Sequence, residues 1–273
     1  MRYKQWGILV LVLALLALAG CAKQEAGKVL SFKFKPGETL KYHTTMDMKS
    51  TMMGQSFPMK MYLEQTNTVQ EVLPTGSVRI EQRFDKVGMT SDGPMGALLG
   101  TVAKQMEGKS FQIVTSPAGK VESVSGLNEL GGMSQSGMDV DQMASQFYSP
   151  LPENPVKSGE SWSQDKTIPI ASGGASLSNH ITTKYTLLGY EPKGGATCAK
   201  IKTSGTFEIT GTAGPQGSMS GKGTVEGLWY LDPEAGRMVE VSAKSNTAMT
   251  VTPPKGMAMT ITMEQDIKVE LVK

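Results

Sequence analysis

The residues able to do chemistry are few. His43 and His180 are the only histidines among 273 residues, and each lies inside an alternating, Thr-rich stretch. Two imidazoles without a cysteine cluster do not assemble a zinc site of usual composition. Serine is abundant, yet no Gly-x-Ser-x-Gly elbow occurs; the nearest approach, Gly132-Met-Ser-Gln-Ser-Gly137, has its second glycine one position late. A Ser-His-Asp set gathered from distant segments would make an envelope hydrolase, but no local sequence marks its nucleophile. Glu38 and Glu160 occupy matching Gly-Glu turns, and turn geometry explains them better than a paired-carboxylate mechanism does. The segment from Gly211 to Gly223 fails as a phosphate loop, because Gly217 stands four residues before Gly221 and Lys222 is followed by glycine. The sequence therefore carries no catalytic constellation and implies no cofactor.

Methionine is the compositional oddity, with 19 residues. Met46, Met48, Met52, Met53, Met59 and Met61 crowd one hairpin-like region, and Met249, Met257, Met259 and Met263 crowd the C-terminal segments. In extended chain, residues two apart share a face, so Met46/Met48, Met59/Met61 and Met257/Met259 each set two thioethers side by side. Three readings stand. Flexible thioethers fill a sheet core; or Met46, Met48, Met59, Met61, Met257, Met259 and Met263 line an adaptable cavity for a lipid or other hydrophobic ligand; or His43, Met46 and Met48 hold copper(I), the ion that soft sulfur selects.

The two cysteines differ in setting. A short basic start, with Arg2 and Lys4, precedes the apolar run Ile8 to Ala19. Twelve helical residues reach about 18 Å, short of the roughly 30 Å bilayer core, so the run reads as a secretory signal. It ends Leu18-Ala19-Gly20-Cys21, which resembles the lipobox of bacterial lipoproteins. That resemblance implies that Cys21 is alkylated with diacylglycerol and becomes the N-terminus, carrying acyl groups such as palmitate and anchoring the chain to a membrane. Ala22 is not the aspartate that retains many such proteins at the inner membrane. An outer-membrane destination is therefore favoured wherever the cell envelope has two membranes. With Cys21 acylated, Cys198 has no disulfide partner; in Thr-Cys-Ala-Lys-Ile it reads as a small buried hydrophobe.

Composition sets the class. The chain holds 27 Lys+Arg against 25 Asp+Glu, and loss of Arg2 and Lys4 with the leader leaves the mature charge balanced. Such a body has no field to gather nucleic acid, so nucleic-acid partners are disfavoured.

The elements that must position these residues are strands. Leu40 to Ser50, Met59 to Val72, Ser77 to Phe84, Thr182 to Tyr190, Ala196 to Thr210, Thr224 to Leu231, Met238 to Ala243 and Met257 to Val272 are rich in Thr, Val, Ile and Tyr and are punctuated by Pro/Gly turns. Leu130 to Gly137, Ser172 to Ser176 and Gly211 to Gly223 read as mobile connections or hairpin tips. Helical spacing appears from Pro94 to Glu107, and a second helix is expected over Val140 to Phe147. These helices cover a sheet edge or an open end, or else form a lid over a ligand cavity.

Three motifs recur in order at a spacing of about 120 residues. Lys35-Pro-Gly-Glu-Thr-Leu40 matches Lys157-Ser-Gly-Glu-Ser-Trp162, Val72-Leu-Pro-Thr-Gly76 matches Tyr190-Glu-Pro-Lys-Gly194, and Thr115-Ser-Pro-Ala-Gly-Lys-Val121 matches Leu231-Asp-Pro-Glu-Ala-Gly-Arg-Met238. The chain thus divides into a signal peptide (1–20), lipidated cysteine and tether (21–28), first β-rich half (29–126), helix-containing connector (127–156) and second β-rich half (157–273). The expected fold is mainly β: a curved antiparallel sheet, half-barrel or barrel, built from two pseudo-repeats with one or two short helices.

The lipobox, the repeated Lys-x-Gly-Glu turn and Leu151-Pro-Glu-Asn-Pro-Val-Lys-Ser-Gly-Glu-Ser-Trp162 together resemble an uncharacterised family of β-rich bacterial lipoproteins. The resemblance implies architecture and a cell-envelope address, with no catalytic residues to transfer. The expectation is a non-catalytic binding or scaffolding protein whose partners are the membrane, through its anchor, and a hydrophobic small molecule or an envelope protein.

Overall fold

The computed structural model describes residues 26–92, 94–126, 151–172, 174–212 and 214–272. Among them the chain forms β1 (Thr39–Met52), β2 (Gln55–Val72), β3 (Val78–Ser91), α1 (Pro94–Met106), β4 (Ser110–Thr115), β5 (Val121–Ser125), β6 (Ser161–Ser172), β7 (Ala175–Lys193), β8 (Ala196–Thr212), β9 (Ser218–Asp232), β10 (Arg237–Thr252) and β11 (Met259–Val272). All eleven strands belong to one antiparallel sheet, ordered β5-β4-β3-β2-β1-β11-β10-β9-β8-β7-β6. The sheet is curved like a half-barrel and does not close. Two meanders meet where the first strand pairs with the last, Lys41 opposite Val272 and Met52 opposite Ile261.

The strands are longer than local propensity suggests. Gly221 and Gly223, expected in a hairpin tip, belong to β9, because pairing with β8 and β10 on both sides overrides glycine's weak strand preference. Short β4 and β5 flank the Pro-Ala-Gly-Lys turn at 117–120, a hairpin turn by its residues, and β6 with β7 forms the hairpin that follows Trp162; none shows clear alternation of its own, and ladder pairing to β3 and β7 sets their extent. Met257 lies in the turn before β11, since Pro253-Pro254-Lys255-Gly256 delays the strand to Met259. The expected helix at 94–107 is α1. The expected helix over 140–147 lies outside the described residues, and of the connector only 151–156 is described, as extended chain without helix.

The matched motifs occupy equivalent places. Before β1, the Gly37 N–H donates to Val69 O at 2.8 Å, the Val69 N–H to Glu38 O at 2.8 Å, and the Lys35 N–H to the Glu38 carboxylate at 3.2 Å. Before β6, Gly159 to Leu187, Leu187 to Glu160 and Lys157 to the Glu160 carboxylate repeat the pattern at 2.6, 3.0 and 2.8 Å. Gly37 and Gly159 have φ of 77° and 86°, backbone that glycine adopts without strain. The other two motif pairs form the β2–β3 and β7–β8 hairpins and the β4–β5 and β9–β10 hairpins.

One end of the sheet is drawn together by a strap. The Phe32 N–H donates to Pro117 O in the β4–β5 hairpin at 2.7 Å, and the next residue, Lys33, donates to Gly236 O in the β9–β10 hairpin at 3.1 Å. In a flat sheet β4 and β10 would stand five strand spacings apart, about 24 Å. Consecutive residues reach both only because the sheet curls strongly there. Residues 151–156 run beside the strap: Lys28 and Val156 exchange both backbone bonds at 2.9 Å, and the Leu151 N–H donates to Ala118 O at 2.6 Å. Under these segments Leu30, Phe32, Leu151 and Val156 pack on Tyr185, Leu187, Ile201 and Leu231. Trp162 stacks on Tyr185 at 5.5 Å, and Tyr185 meets the edge of Trp229 at 5.7 Å. A second cluster seats α1, with Ala103 and Met106 against Phe84, Val87, Phe111 and Ile113 of β3 and β4.

Leu30 is 1% exposed, whereas Leu98 on the outer side of α1 is 57% exposed. Leu30→Ala is expected to lower unfolding free energy by about 2–5 kcal/mol in urea melts, and Leu98→Ala by no more than about 0.5 kcal/mol. Equal effects would show that the strap does not hold the curled end.

Candidate functional site

Alternation along each strand gives the sheet two chemically distinct sides. In β11, Ile261, Met263, Ile267, Val269 and Leu271 share one side, while Thr262, Glu264, Asp266, Lys268 and Glu270 point to the other. The polar side is laced with cross-strand ion pairs, among them Lys244–Asp266 at 3.1 Å and Lys60–Asp47 at 3.8 Å. With their side chains more than half exposed, such pairs contribute little to stability. The apolar side is the one the strap and α1 cover, near the curled end and at β3–β4.

Toward the open end the apolar side continues without a second layer among the described residues. Register sets its side chains in ranks across the sheet. One rank runs Met89, Met61, Met46, Ile267. The next runs Met59, Met48, Gln265, Ser245, Val225, Gly205. A third runs Met263, Thr247, Gly223, Phe207, Ile181, Lys166, and a fourth Met52, Ile261, Met249, Gly221, Ile209. Most of these side chains are partly rather than fully buried. Gln265 Nε2 of the second rank donates to the Met46 thioether of the first at 2.9 Å, and the Ser245 hydroxyl donates to Gln265 Oε1 at 3.4 Å.

The middle of this wall has a floor of glycine. Gly221, Gly223 and Gly227 take the apolar-side positions of β9, and Gly205 sits beside them on β8. A Cβ on Gly223 would stand 2.3 Å from the Phe207 ring, and one on Gly221 2.8 Å from Met249 Cγ. Phe207 and Met249 therefore lie flat across the floor. Glycine inside a strand marks such close approach.

Met46, Met48, Met59, Met61 and Met263 thus meet on one wall, with Met259, 39% exposed, at its rim. Met257, 88% exposed, is not on it. Sequence reasoning missed Met89, Met219, Phe207 and Ile181 and left Met249 out of the lining set; their shared face becomes visible only once strand pairing is known. His43 is not brought to Met46 and Met48. An odd step separates it from them, so it lies on the polar side, its ring 5.9 Å from Tyr62. The Tyr62 hydroxyl donates to Glu64, which pushes its pKa up, and Lys86 Nζ lies 5.5 Å from the Tyr62 ring centre. No group of three or more His, Cys, Asp or Glu among the described residues is arranged to hold a metal.

His180 lies on the polar side too, with Nδ1 3.2 Å from the Thr167 hydroxyl and Nε2 3.5 Å from Asp165. Asp165 also accepts from Thr182 at 2.9 Å. This set joins β6 to β7 on open surface, where the His180 and Asp165 side chains are 50% and 63% exposed. A shallow depression of about 630 Å³ opens beside it; its lining draws mainly on polar-side positions such as Glu208, Lys222 and Asn246, and also includes Phe207, Gly223, Thr247 and Met263 of the third rank. Cys198 is fully buried with Sγ 3.5 Å from Lys193 O, and burial pushes the thiol pKa up.

No family model matches the chain, and no curated protein sequence does. Among solved structures, one describing lipid–protein interactions in lipovitellin is similar, with a TM-score of 0.54 at 11% identity over 88% of this chain. The chain spans 26% of that lipovitellin chain. The likeness is one of fold. The hypothetical lipoprotein YmcC from Escherichia coli (K12) aligns with 85% of this chain and 84% of its own at 12% identity, with a TM-score of 0.28.

A raised thiol pKa and zero exposure make Cys198 inert in the folded state. A thiol-reactive disulfide reagent is expected to leave it unlabelled in buffer and to label it fully in denaturant; rapid labelling in buffer would contradict its burial.

Proposed function

We propose that this protein is a lipid-anchored, non-catalytic component of the bacterial cell envelope that holds a hydrophobic ligand against the apolar side of its sheet. The observation that carries the reading is the run of ranks from Met46 and Met61 across Ile267, Met249 and Phe207, which no second layer of described residues covers. A sheet side this apolar is costly to leave in water, at about 25 cal/mol for each Å², and burying it against an acyl chain removes that cost. Thioethers repack around varied shapes, which suits lipid tails. The lipovitellin-like fold supports a sheet able to carry such a wall.

The sequence of the leader supports the anchor at Cys21 and, where two membranes exist, the outer one; residues 1–25 lie outside the described structure. The seven residues from Ala22 to Lys28 reach at most about 25 Å, which keeps the strapped end of the sheet near the bilayer. The equivalent hairpins in the two halves support duplication of an ancestral unit, with halves at 29–126 and 157–273.

Organic extracts of the purified protein are expected to yield a copurifying lipid by mass spectrometry, and Met61→Glu to reduce its yield at least about tenfold, because the wall would then desolvate a carboxylate. An empty extract together with stable capture of a specific envelope protein would replace the lipid reading by a scaffolding one. Cys21→Ala is expected to abolish acylation and membrane fractionation; unchanged acylation would overturn the anchor.

A further inference from the structure

One cation, Lys166, stands on the apolar side with no neutralising partner among the described residues. Lys166 of β6 faces the same way as Trp162 and Ile168, at the end of the rank that begins with Met263. Its direct cross-strand neighbour is Ile181, and its diagonal neighbours on β7 are Asn179 and Thr183, on the order of 7–8 Å away. On its own strand it stands between Gln164 and Ile168. None of these is acidic. The nearest carboxylate in sequence, Asp165, points to the polar side and is engaged by His180 and Thr182. No ion pair to Lys166 occurs among the described residues, and desolvation pushes its ammonium below the usual lysine range.

A second observation lies beside it. Asn179 Oδ1 is buried without a hydrogen-bond partner among the described residues, at the position opposite Ile168. Gln164 completes a polar strip along the β6–β7 margin of an otherwise oily wall. A cleft of about 600 Å³ between residues 151–156 and the start of β6, lined in part by Trp162 and Gln164, opens onto the same margin. Buried charges are found paired, and a half-buried lysine with no acidic neighbour among the described residues leaves its ammonium open to an anion.

We propose that Lys166 receives the anionic head, carboxylate or phosphate, of a single-chain amphiphile whose tail lies along the rank Ile181, Phe207, Gly223, Thr247 and Met263. From β6 to β11 this rank crosses five strand spacings, about 24 Å along the sheet, a span suited to a long acyl chain. The glycine at its centre leaves room for the tail once Phe207 turns aside. This inference rests on the lipid reading given above and names the ligand's polar end.

The test uses the purified full chain and a neutral, polarity-sensitive dye, Nile red, as reporter of the wall. Laurate, lauryl phosphate and dodecanol then compete for it. The expected result is that laurate or lauryl phosphate displaces the dye at about tenfold lower concentration than dodecanol. Lys166→Gln should remove that preference while dye binding persists, and Lys166→Arg should keep it. Preference for laurate over lauryl phosphate would assign the head to a fatty acid, and the reverse to a single-chain phosphate lipid. If the dye binds but the three competitors act alike, or if Lys166→Gln leaves the preference intact, the head-group assignment is overturned and the wall stands. Failure of the dye to bind the unaltered protein would overturn the wall reading and this inference together.

Discussion

The fold depends on one constraint: a sheet of long strands with one oily side must curl, and something must tie the curl. Here residues 28–33 tie it, by bonding two hairpin tips that a flat sheet would keep about 24 Å apart. The β4–β5 tip takes one backbone bond from the strap, and the β9–β10 tip takes one backbone bond and two more from the Lys33 ammonium, to Pro233 O at 2.8 Å and Glu234 O at 3.3 Å, each of modest net worth. Burial of Leu30 and Phe32 against Leu187, Ile201 and Leu231 contributes more. Because the strap occupies only one end, the same apolar side that makes a core there continues beyond it as a wall without a second layer among the described residues. Core and candidate site are one surface, divided by where the covering chain stops.

That continuity bears on function. A filled core selects branched side chains with fixed rotamers, and the curled end supplies them in Leu187, Ile201 and Leu231. The open end carries thioethers and glycines instead. Phe207 and Met249 rest on Gly223 and Gly221, so the wall is smooth with its own side chains laid down and deepens if they rise. The polar side, by contrast, is a plain solvated surface of exposed Lys, Glu and Thr.

Much of this was legible in residues. Period-two alternation in Thr-Ile-Thr-Met announced β11, and the Gly-Glu turns were placed correctly because their chemistry is local: one glycine at positive φ and one carboxylate capping its own turn. Other features depend on long-range pairing. Nothing near Met46 shows that Ile267 lies beside it, because the first and last strands meet about 220 residues apart in the chain. Gly221 and Gly223 read as a loop, since glycine gives no local strand signal. His43 groups with Met46 and Met48 by proximity in sequence, though an odd spacing puts it across the sheet. Lys166 gives no signal of its own, because a lysine in a strand reads as solvated until its neighbours are known.

Adjacent residues on β8 offer the most direct measurement. Phe207 belongs to the wall and Thr206 to the polar side. Phe207→Trp and Thr206→Trp variants report on the two sides when a brominated acyl chain is added, since bromine quenches indole at contact distance. The account predicts saturable quenching of the tryptophan added at 207 and none of that added at 206. Equal quenching of both, or of neither, would contradict the claim that one side of this sheet is a lipid-binding wall.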